Sequence, residues 1–381
     1  MEKNLDSLMM RNDNIENMQY FVNITSQEIK YFIKTLDEVT LMTMLYTFQQ
    51  YGIFIDKKIV LSEKEILDAC HATPKSNTVI LRWLTVLEEA NYIARDNYKY
   101  VLNKDILIKR SSIENLWNKL LEQCDERICP KTVVEYFFNN AKSVKGFING
   151  VESPTFILFP RGEFIYADAL YSDLIIAKYL NLYLADIVKN IINKKDRKAC
   201  VLEVGGGTGS TTKVVLNSLY ENNIRKKLNY LFTDLSRFFL NNAKNKFSDY
   251  SFVEYKQIDI DKNLESQNID QDSMDIIIAV GVLNNSKNMK FTLDNFNKVL
   301  KKGGYLLATE SIIEFKAMLI SQAFMMEMPN DDRKEINSTF LNLKQWEKQF
   351  YDSGFKVINV IPDSTHKLAQ FGQKLFLLEK Q

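Results

Sequence analysis

A run of glycines constrains the fold of this chain more than any other feature of its sequence. Gly205, Gly206, Gly207 and Gly209 directly follow the largely apolar segment 201–204. Glycine lets a backbone turn sharply and come close to a ligand, because it has no Cβ atom. A glycine loop at the end of a predicted strand is typical of open α/β sheets, which bind ligands at the carboxyl ends of their strands.

From residue 199 onward, apolar runs alternate with polar stretches of helical character. This alternation predicts a doubly wound α/β fold with a mostly parallel sheet. The predicted strands, each followed by a helix, are 200–204, 230–233, 252–257, 275–280 and 305–309. Segments 356–361 and 374–378 have no full crossover helix between them, which predicts a terminal antiparallel hairpin.

The N-terminal region has helical character and ends in a compact pattern. Ser62 followed by Glu65 predicts a capped helix start, segment 75–89 predicts a second helix, and segment 91–102 predicts a hairpin. Together these elements indicate a winged-helix-like unit. Segment 62–103 holds five basic and six acidic residues, so it lacks the positive charge that binds nucleic acid. We expect it to serve in packing or dimerisation, with no nucleic-acid partner.

These patterns divide the chain into three predicted regions. Residues 1–110 form the helical, winged-helix-like region, 111–195 a helical lid or linker, and 196–381 the ligand-binding sheet domain. Within the second region, 153–162 is predicted to be a loop or short strand and 173–193 a long amphipathic helix.

The composition excludes several classes of protein. The chain has two histidines and four cysteines, without a pair of Cys or His at zinc-binding spacing near Cys124 and Cys129, so no metal site is expected. Its 49 Lys and Arg nearly balance its 48 Asp and Glu, so the chain lacks the large net charge of a protein that coats nucleic acid. The N-terminus has no signal-peptide pattern, and the longest apolar run, 276–283, is too short to span a membrane. We therefore expect a cytoplasmic protein without a membrane partner.

The spacing of the glycines and of nearby acidic residues predicts the ligand. The glycines follow Glu203 in a G-x-G-x-G pattern, which differs from the G-x-G-x-x-G of dinucleotide-binding folds. S-adenosylmethionine has no phosphate, and its ammonium group suits a carboxylate such as Glu203. Asp234 ends the second predicted strand, where a carboxylate can accept both ribose hydroxyls, and Asp259 ends the third, beside the adenine. The predicted cofactor contacts are Glu203, Gly205, Gly207, Gly209, Asp234, Leu235, Asp259, Ile260 and Val280.

Residues from about 155 to 381 resemble the methyltransferase domains of polyketide synthases and of mixed polyketide/nonribosomal peptide synthetases. The resemblance is carried by LFPRG at 158–162, the glycine segment 202–212, YLFTDLSRFF at 230–239 and LNLKQWEKQFYDSGF at 341–355. It implies a class I methyltransferase fold with a Rossmann-like sheet and S-adenosylmethionine as the cofactor. It further implies C- or O-methylation of a carrier-bound or related acyl intermediate in secondary metabolism.

One position departs from the pattern of that family. The family has a histidine base after the fourth strand and a supporting glutamate at the end of the fifth. Here Asn284 takes the histidine position, while Glu310 keeps the glutamate position. Asparagine cannot remove a proton near neutral pH, although its amide can orient a substrate. The candidate catalytic residues are therefore Glu310, Asn284 and Asn285, with Glu310 as the base if burial raises its pKa.

Two other functions stay open at this point. The chain could be a small-molecule N- or O-methyltransferase whose nucleophile needs no strong base, or a cofactor-binding protein that transfers no methyl group. The predicted walls of the substrate pocket are Tyr171, Tyr179, Phe239 and Phe324. An acyl or peptidyl carrier protein is typically acidic, so the basic runs 194–198 and 225–227 are candidate docking segments. A homodimer is left open.

Overall fold

The computed structural model describes residues 13–221, 228–336 and 338–381 of the chain. Its N-terminal part consists of seven helices and three short strands within these ranges. They are α1 (Asp13–Glu16), α2 (Gln19–Val22), α3 (Ser26–Gln50), β1 (Val60–Ser62), α4 (Glu63–Ala69), α5 (Pro74–Glu89), β2 (Ile93–Asp96), β3 (Lys99–Leu102), α6 (Arg110–Gln123) and α7 (Lys131–Ile148). The strands form an antiparallel sheet in the order β1-β3-β2.

The predicted helix start at Ser62 is confirmed. The Ser62 side chain accepts a hydrogen bond from the Glu65 backbone N–H, and the Glu65 carboxylate accepts one from the Ser62 N–H in return. This reciprocal arrangement is a capping box, which satisfies two N–H groups that the first helical turn leaves unpaired. The predicted second helix and hairpin are also present as α5, β2 and β3. Their interpretation as a winged-helix-like unit, and the division of the chain at residues 110 and 195, stay predictions.

The second half of the predicted lid or linker, residues 153–193 (the lid segment), follows, and one prediction for it is wrong. Segment 153–162, predicted as a loop or short strand, contains α8 (Pro154–Leu158) and a 3-10 turn (Pro160–Gly162). Ser153 caps α8 by accepting a hydrogen bond from the Thr155 N–H, and proline at the first helical position favours a helix start. The region continues with α9 (Ile165–Asp168) and α10 (Ile175–Asn193), the latter close to the amphipathic helix predicted for 173–193.

A seven-stranded sheet forms the C-terminal part of the structure. Its strands are β4 (Ala199–Val204), β5 (Leu228–Asp234), β6 (Val253–Gln257), β7 (Met274–Val280), β8 (Leu300–Ser311), β9 (Phe355–Ile361) and β10 (Gln373–Lys380). They are arranged in the order β6-β5-β4-β7-β8-β10-β9. The first five strands pair in parallel, and β10 pairs antiparallel with both β8 and β9. The predicted α/β class, the mostly parallel sheet and the terminal antiparallel hairpin are confirmed.

Helices connect most of the parallel strands, as predicted. They are α11 (Ser210–Glu221), α12 (Arg237–Lys246), α13 (Met289–Val299) and α14 (Leu343–Asp352). Between β6 and β7, however, the described chain has only a 3-10 turn, Glu265–Gln267. The Asn263 side chain accepts the Glu265 N–H, and such local side-chain bonds compete with continued helix. The prediction of a helix after each strand was wrong at this crossover.

The N-terminal part packs on the sheet domain through a buried tryptophan. Trp83 of α5 is fully buried, contacts the Phe48 and Phe324 rings, and donates its indole N–H to the Leu319 carbonyl at 2.8 Å. Its neighbour Arg82 forms a largely buried ion pair with Glu314, with 2.6 Å between Nε and Oε2. Trp83, which belongs to the unit predicted to serve in packing or dimerisation, is thus buried within the chain itself.

One buried carboxylate joins the first basic run to the sheet. Asp275 at the start of β7 contacts Lys195, Arg197 and Lys301, and also accepts the Cys200 backbone N–H at 2.9 Å. Desolvation opposes its ionisation, but hydrogen bonds from these donors outweigh that effect and hold the pKa of Asp275 well below its usual range.

We expect Asp275→Ala to lower the free energy of unfolding by about 2 kcal/mol at pH 7, because several charge-assisted hydrogen bonds are lost. Because the folded pKa is depressed, this stabilisation is present above the pKa of an unfolded aspartate, about 3.9. It is lost as the pH falls below that value. Urea unfolding at pH 7 and pH 3 measures both effects. Asp294→Ala, which removes an exposed helical pair with Lys290, is the control and should cost less than about 1 kcal/mol. Equal losses in the two variants would contradict this account of Asp275.

Candidate active site

The glycine loop connects the end of β4 to α11 and needs glycine for steric reasons. Gly205 has a φ of +61°, and a Cβ atom there would lie 2.4 Å from the Val282 Cγ2. Val282 belongs to the turn after β7, so this contact packs the loop directly against the neighbouring strand end. The loop is thus fixed between two strand ends, as the sequence predicted for a ligand-binding loop.

Glu203 supports the loop from inside the protein. It is 2% exposed, and its Oε2 accepts hydrogen bonds from the hydroxyls of Thr212 and Tyr230, each at 2.7 Å. Burial raises the pKa of Glu203 to about 7. The sequence prediction placed this carboxylate against a ligand ammonium group. That contact stays a prediction; in this structure the described partners of Glu203 are two buried hydroxyls that join β5 and α11 beneath the loop.

Asp234 joins the glycine loop to the end of β5. Its Oδ2 accepts the Gly207 N–H at 2.9 Å, and its Oδ1 accepts the Ser236 N–H at 2.7 Å. The side chain is largely buried, and desolvation raises its pKa. Each carboxylate oxygen has a further lone pair, so both can also accept a hydroxyl. The first of these hydrogen bonds joins Asp234 to the glycine loop, and its contact with ribose hydroxyls stays a prediction.

The chain around this loop provides room and suitable chemistry for a nucleoside. A Cβ atom at Gly281 would meet no atom within 4 Å, and one at Gly207 would meet only the Gly205 carbonyl, at 3.8 Å. Leu235, next to Asp234, is 60% exposed and offers an apolar surface. These features fit the adenosine part of S-adenosylmethionine. The backbone is open, the Asp234 carboxylate can accept hydroxyls, and Leu235 offers an apolar surface to a flat ring.

The remaining predicted cofactor residues lie at the same edge of the sheet. Val280 ends β7, and Asp259 and Ile260 follow β6; all three are partly buried. The Asp259 carboxylate is engaged locally, since it accepts the Asp261 N–H at 3.0 Å and pairs with Lys262 at 3.2 Å. An adenine contact of Asp259 stays a prediction.

Sequence reasoning missed two residues that link the lid segment to the glycine loop. Lys246, at the end of α12, donates to the Thr208 carbonyl at 2.9 Å and lies 3.9 Å from the Asp168 carboxylate of α9. Ser210 also donates to Asp168, at 3.4 Å. Positions 168, 208 and 246 are far apart in the sequence, so no local spacing could reveal these contacts.

Aromatic rings join the lid segment to α12 beside Asp234. Phe239 is half-buried and lies 5.4 Å from the Phe159 ring and 6.1 Å from the Phe164 ring, measured between centroids. Phe238 stacks on Phe164 at 5.4 Å. The structure thus places Phe239, a predicted pocket wall, in the contact between the lid segment and α12.

Tyr171, another predicted wall residue, lies between α9 and α10. Its side chain is 41% exposed, and its role as a pocket wall stays a prediction. Its carbonyl accepts a hydrogen bond from Asn181, whose Oδ1 accepts the Thr211 hydroxyl just after the glycine loop. Tyr171 therefore lies close to the start of α11.

Two other predicted wall residues are in the protein core. Tyr179 is 2% exposed, donates its hydroxyl to Glu16 at 2.6 Å and stacks on His366. Phe324 is 6% exposed and packs between the rings of Trp83 and Phe147. Both predictions were wrong, because the sequence shows that an aromatic side chain is apolar but not which neighbours cover it.

The candidate catalytic residues meet at the ends of β7 and β8. Asn284 lies in the turn Leu283–Asn285 and donates its side-chain N–H to Glu310 Oε2 at 2.7 Å. Glu310 Oε1 accepts the Leu283 backbone N–H, also at 2.7 Å. The Glu310 side chain is almost fully buried, and desolvation raises its pKa to about 8 in spite of these hydrogen bonds. Asn285 is exposed, and its side chain donates to the Gly281 carbonyl at 3.3 Å.

In the described ranges, no group of three or more His, Cys, Asp or Glu side chains is arranged to hold a metal ion. No helix in those ranges has both the length and the apolar character that crossing a membrane requires.

Comparison with known proteins finds a matching domain family and several relatives. Residues 202–306 match the family described as a methyltransferase domain. The chain is 28% identical over 270 residues to pyochelin synthetase PchF of Pseudomonas aeruginosa, an alignment that covers 70% of this chain and 15% of PchF. It is 28% identical over 311 residues to polyketide synthase PksR of Bacillus subtilis, covering 76% of this chain and 12% of PksR. The chain thus spans less than a sixth of these curated relatives.

The fold is similar to that of a solved carbon methyltransferase. The DszA carbon methyltransferase superposes with a TM-score of 0.86 at 19% identity, over 100% of this chain and 96% of that one. This likeness concerns the fold. Residues 202–306 thus match a methyltransferase domain, and the chain has the fold of class I methyltransferases.

Proposed function

We propose that this chain transfers a methyl group to an acyl intermediate held as a thioester on a carrier protein. The observation that carries the proposal is the buried Asn284–Glu310 pair at the strand ends next to the glycine loop. The related synthases support this class of acceptor. When bound, S-adenosylmethionine supplies an electrophilic methyl group on its sulfonium.

The glycine loop and Asp234 would hold the cofactor. Gly207 and Gly281 leave the backbone open, Asp234 would accept the ribose hydroxyls, and Leu235 would cover the adenine. Glu203 and Lys246 would keep the loop in this shape through Thr212 and Thr208. These residues bind and orient, and a correctly oriented acceptor accounts for much of the rate of a displacement reaction.

Glu310 is the proposed proton acceptor. Before the α-carbon of a 3-ketoacyl thioester can attack the methyl group, it must lose a proton. Asn284 cannot take that proton, but Glu310, which contacts Asn284, has a pKa of about 8 and is therefore matched to proton transfer near neutral pH. Both oxygens of Glu310 accept N–H groups in this structure. Each oxygen keeps a further lone pair, so Glu310 can accept the proton while Asn284 stays in place.

The proposed partner is an acyl or peptidyl carrier protein. Of the two predicted docking runs, 194–198 is partly used inside the chain, because Lys195 and Arg197 both contact Asp275. Arg197 is nevertheless 53% exposed, so the run stays a candidate docking segment. The other run, 225–227, lies outside the described residues. The four cysteines are free, which supports our proposal of a cytoplasmic site of action.

Asn284→His tests the proposal at the position where this chain departs from its family. An imidazole beside Glu310 is a base with a pKa near neutral, so we expect about 10-fold faster methylation of a 3-ketoacyl carrier. The measurement is the initial rate of methylated product by intact-protein mass spectrometry. Asn285→His, which changes the exposed neighbour, is the control and should leave the rate unchanged. Loss of methylation in Asn284→His would contradict the proposed role of this position.

A further inference from the structure

Arg333 is an almost fully buried arginine in the connection between β8 and α14. It lies in the 3-10 turn Asp332–Glu335, and its side chain is 9% exposed. One edge of its guanidinium contacts Asp331, two residues earlier in the chain. The Nε–Oδ1 distance is 2.8 Å and the Nη2–Oδ2 distance is 2.9 Å. This two-point pairing fixes the plane of the guanidinium, which a single contact would leave free to rotate.

The other edge of the guanidinium contacts the turn that contains Asn284. Nη1 donates to the Asn284 carbonyl at 3.3 Å, and Nη2 donates to the Ser286 carbonyl at 2.5 Å. These two carbonyls flank the exposed Asn285, so Arg333 bridges the turn from one side to the other. The guanidinium therefore connects a remote segment of the chain to the backbone of a candidate catalytic residue.

Asp331 extends the same connection to the next helix. Its Oδ2 accepts the backbone N–H of Met289, the first residue of α13, at 2.7 Å. The neighbouring Asn330 donates its backbone N–H to the Lys287 carbonyl, also at 2.7 Å. Contacts at 284, 286, 287 and 289 thus fix the whole path from the turn to α13.

We propose that Arg333, held by Asp331, is a positioning residue that keeps the Asn284 side chain on Glu310. The Asn284 backbone is held by Arg333, and its side-chain N–H reaches Glu310 at 2.7 Å. A shift of the Asn284 backbone would lengthen the bond between its side chain and Glu310. It would also change which side chain faces the methyl acceptor. The inference builds on the proposed function, but its geometric part concerns the Asn284–Glu310 bond alone. Lysine cannot replace Arg333, because an ammonium group does not present two parallel N–H edges.

Arg333→Lys tests the positioning directly through hydrogen exchange of asparagine side-chain amides, measured by NMR on the full chain labelled with 15N-asparagine. The Asn284 signal is assigned by its absence in Asn284→Ala. We expect about 10-fold faster exchange of the Asn284 side-chain amide in Arg333→Lys, because its bond to Glu310 opens more often. Asn140, whose side-chain amide is buried and donates to the Tyr136 carbonyl at 2.7 Å, is the internal control and should be unaffected.

Turnover provides a second readout. In Arg333→Lys, we expect kcat to fall about 10-fold with an unchanged Kd for S-adenosylmethionine, because a small misplacement of a reacting group slows chemistry more than binding. In an Asn284→Ala background, Arg333→Lys should have little further effect, since the two residues act as a unit. Unchanged exchange of Asn284, or equal acceleration at Asn284 and Asn140, would overturn the inference. Absence of turnover in the unmodified chain would count against the proposed function only, because the exchange result does not depend on it.

Discussion

Glu310→Gln is expected to lower kcat by at least about 100-fold, which is the typical contribution of a positioned general base. The glutamine has nearly the same shape, but it cannot accept a proton from the acceptor carbon. Its amide N–H would also face the N–H of either Leu283 or Asn284, because both oxygens of Glu310 accept such groups. The Kd for S-adenosylmethionine should stay unchanged, since the proposed cofactor contacts, the glycine loop and Asp234, are left intact. Single-turnover kinetics and calorimetry measure the two quantities separately.

The pH dependence of the rate distinguishes a base from a structural residue. Desolvation raises the pKa of Glu310 to about 8, so the carboxylate form increases as the pH rises through that value. We expect kcat/KM to rise with pH below about 8 and to level off above it, and this step should be absent in Glu310→Gln. Glu203→Gln alters the other buried glutamate of the site, beneath the glycine loop. It should weaken cofactor binding and leave the step in place. A step that persists in Glu310→Gln would show that another group is the base.

Gly205→Ala is expected to weaken S-adenosylmethionine binding by at least about 100-fold, because the substitution both strains the backbone and overpacks the loop. Alanine is strained at a φ of +61°, and its Cβ would lie 2.4 Å from the Val282 Cγ2. Either the loop or the turn after β7 must therefore move, and both belong to the site. Titration calorimetry with S-adenosylhomocysteine, together with the melting temperature, measures the effect.

Gly52→Ala is the matched control for this variant. Gly52 has a φ of +77°, but a Cβ atom there would meet no atom within 4 Å, so only the backbone strain is shared. Gly52→Ala should lower the melting temperature slightly and leave cofactor binding intact. Cofactor binding equal to that of the unmodified chain in Gly205→Ala, or equal losses in both variants, would show that the contact with Val282 does not shape the loop.

The sequence predicted those parts of the site that depend on local patterns. The glycine loop and the ends of β5, β7 and β8 follow from strand periodicity and from the shared edge of a parallel sheet. Register along a strand fixes which residue ends it, so Asp234 and Glu310 could be located before their neighbours were known.

Other parts depend on contacts between distant segments, which carry no local signal. Glu203 and Tyr179 are ordinary polar or aromatic residues in the sequence, and only packing shows that their partners are buried hydroxyls and Glu16. Lys246 contacts a carbonyl 38 positions away, and Arg333 contacts carbonyls 49 and 47 positions away. Because backbone carbonyls are present at every residue, no residue type marks these positions as binding partners.

Transfer of an isotopically labelled methyl group from S-adenosylmethionine to a 3-ketoacyl carrier protein tests the central claim most directly. The account predicts that the label appears on the acyl chain in an amount equal to the S-adenosylhomocysteine formed, and that Glu310→Gln abolishes this transfer. Binding of S-adenosylmethionine with no label on the carrier at any pH between 6 and about 9, a range that spans the Glu310 pKa, would contradict it. That result would identify the chain as a cofactor-binding protein that transfers no methyl group.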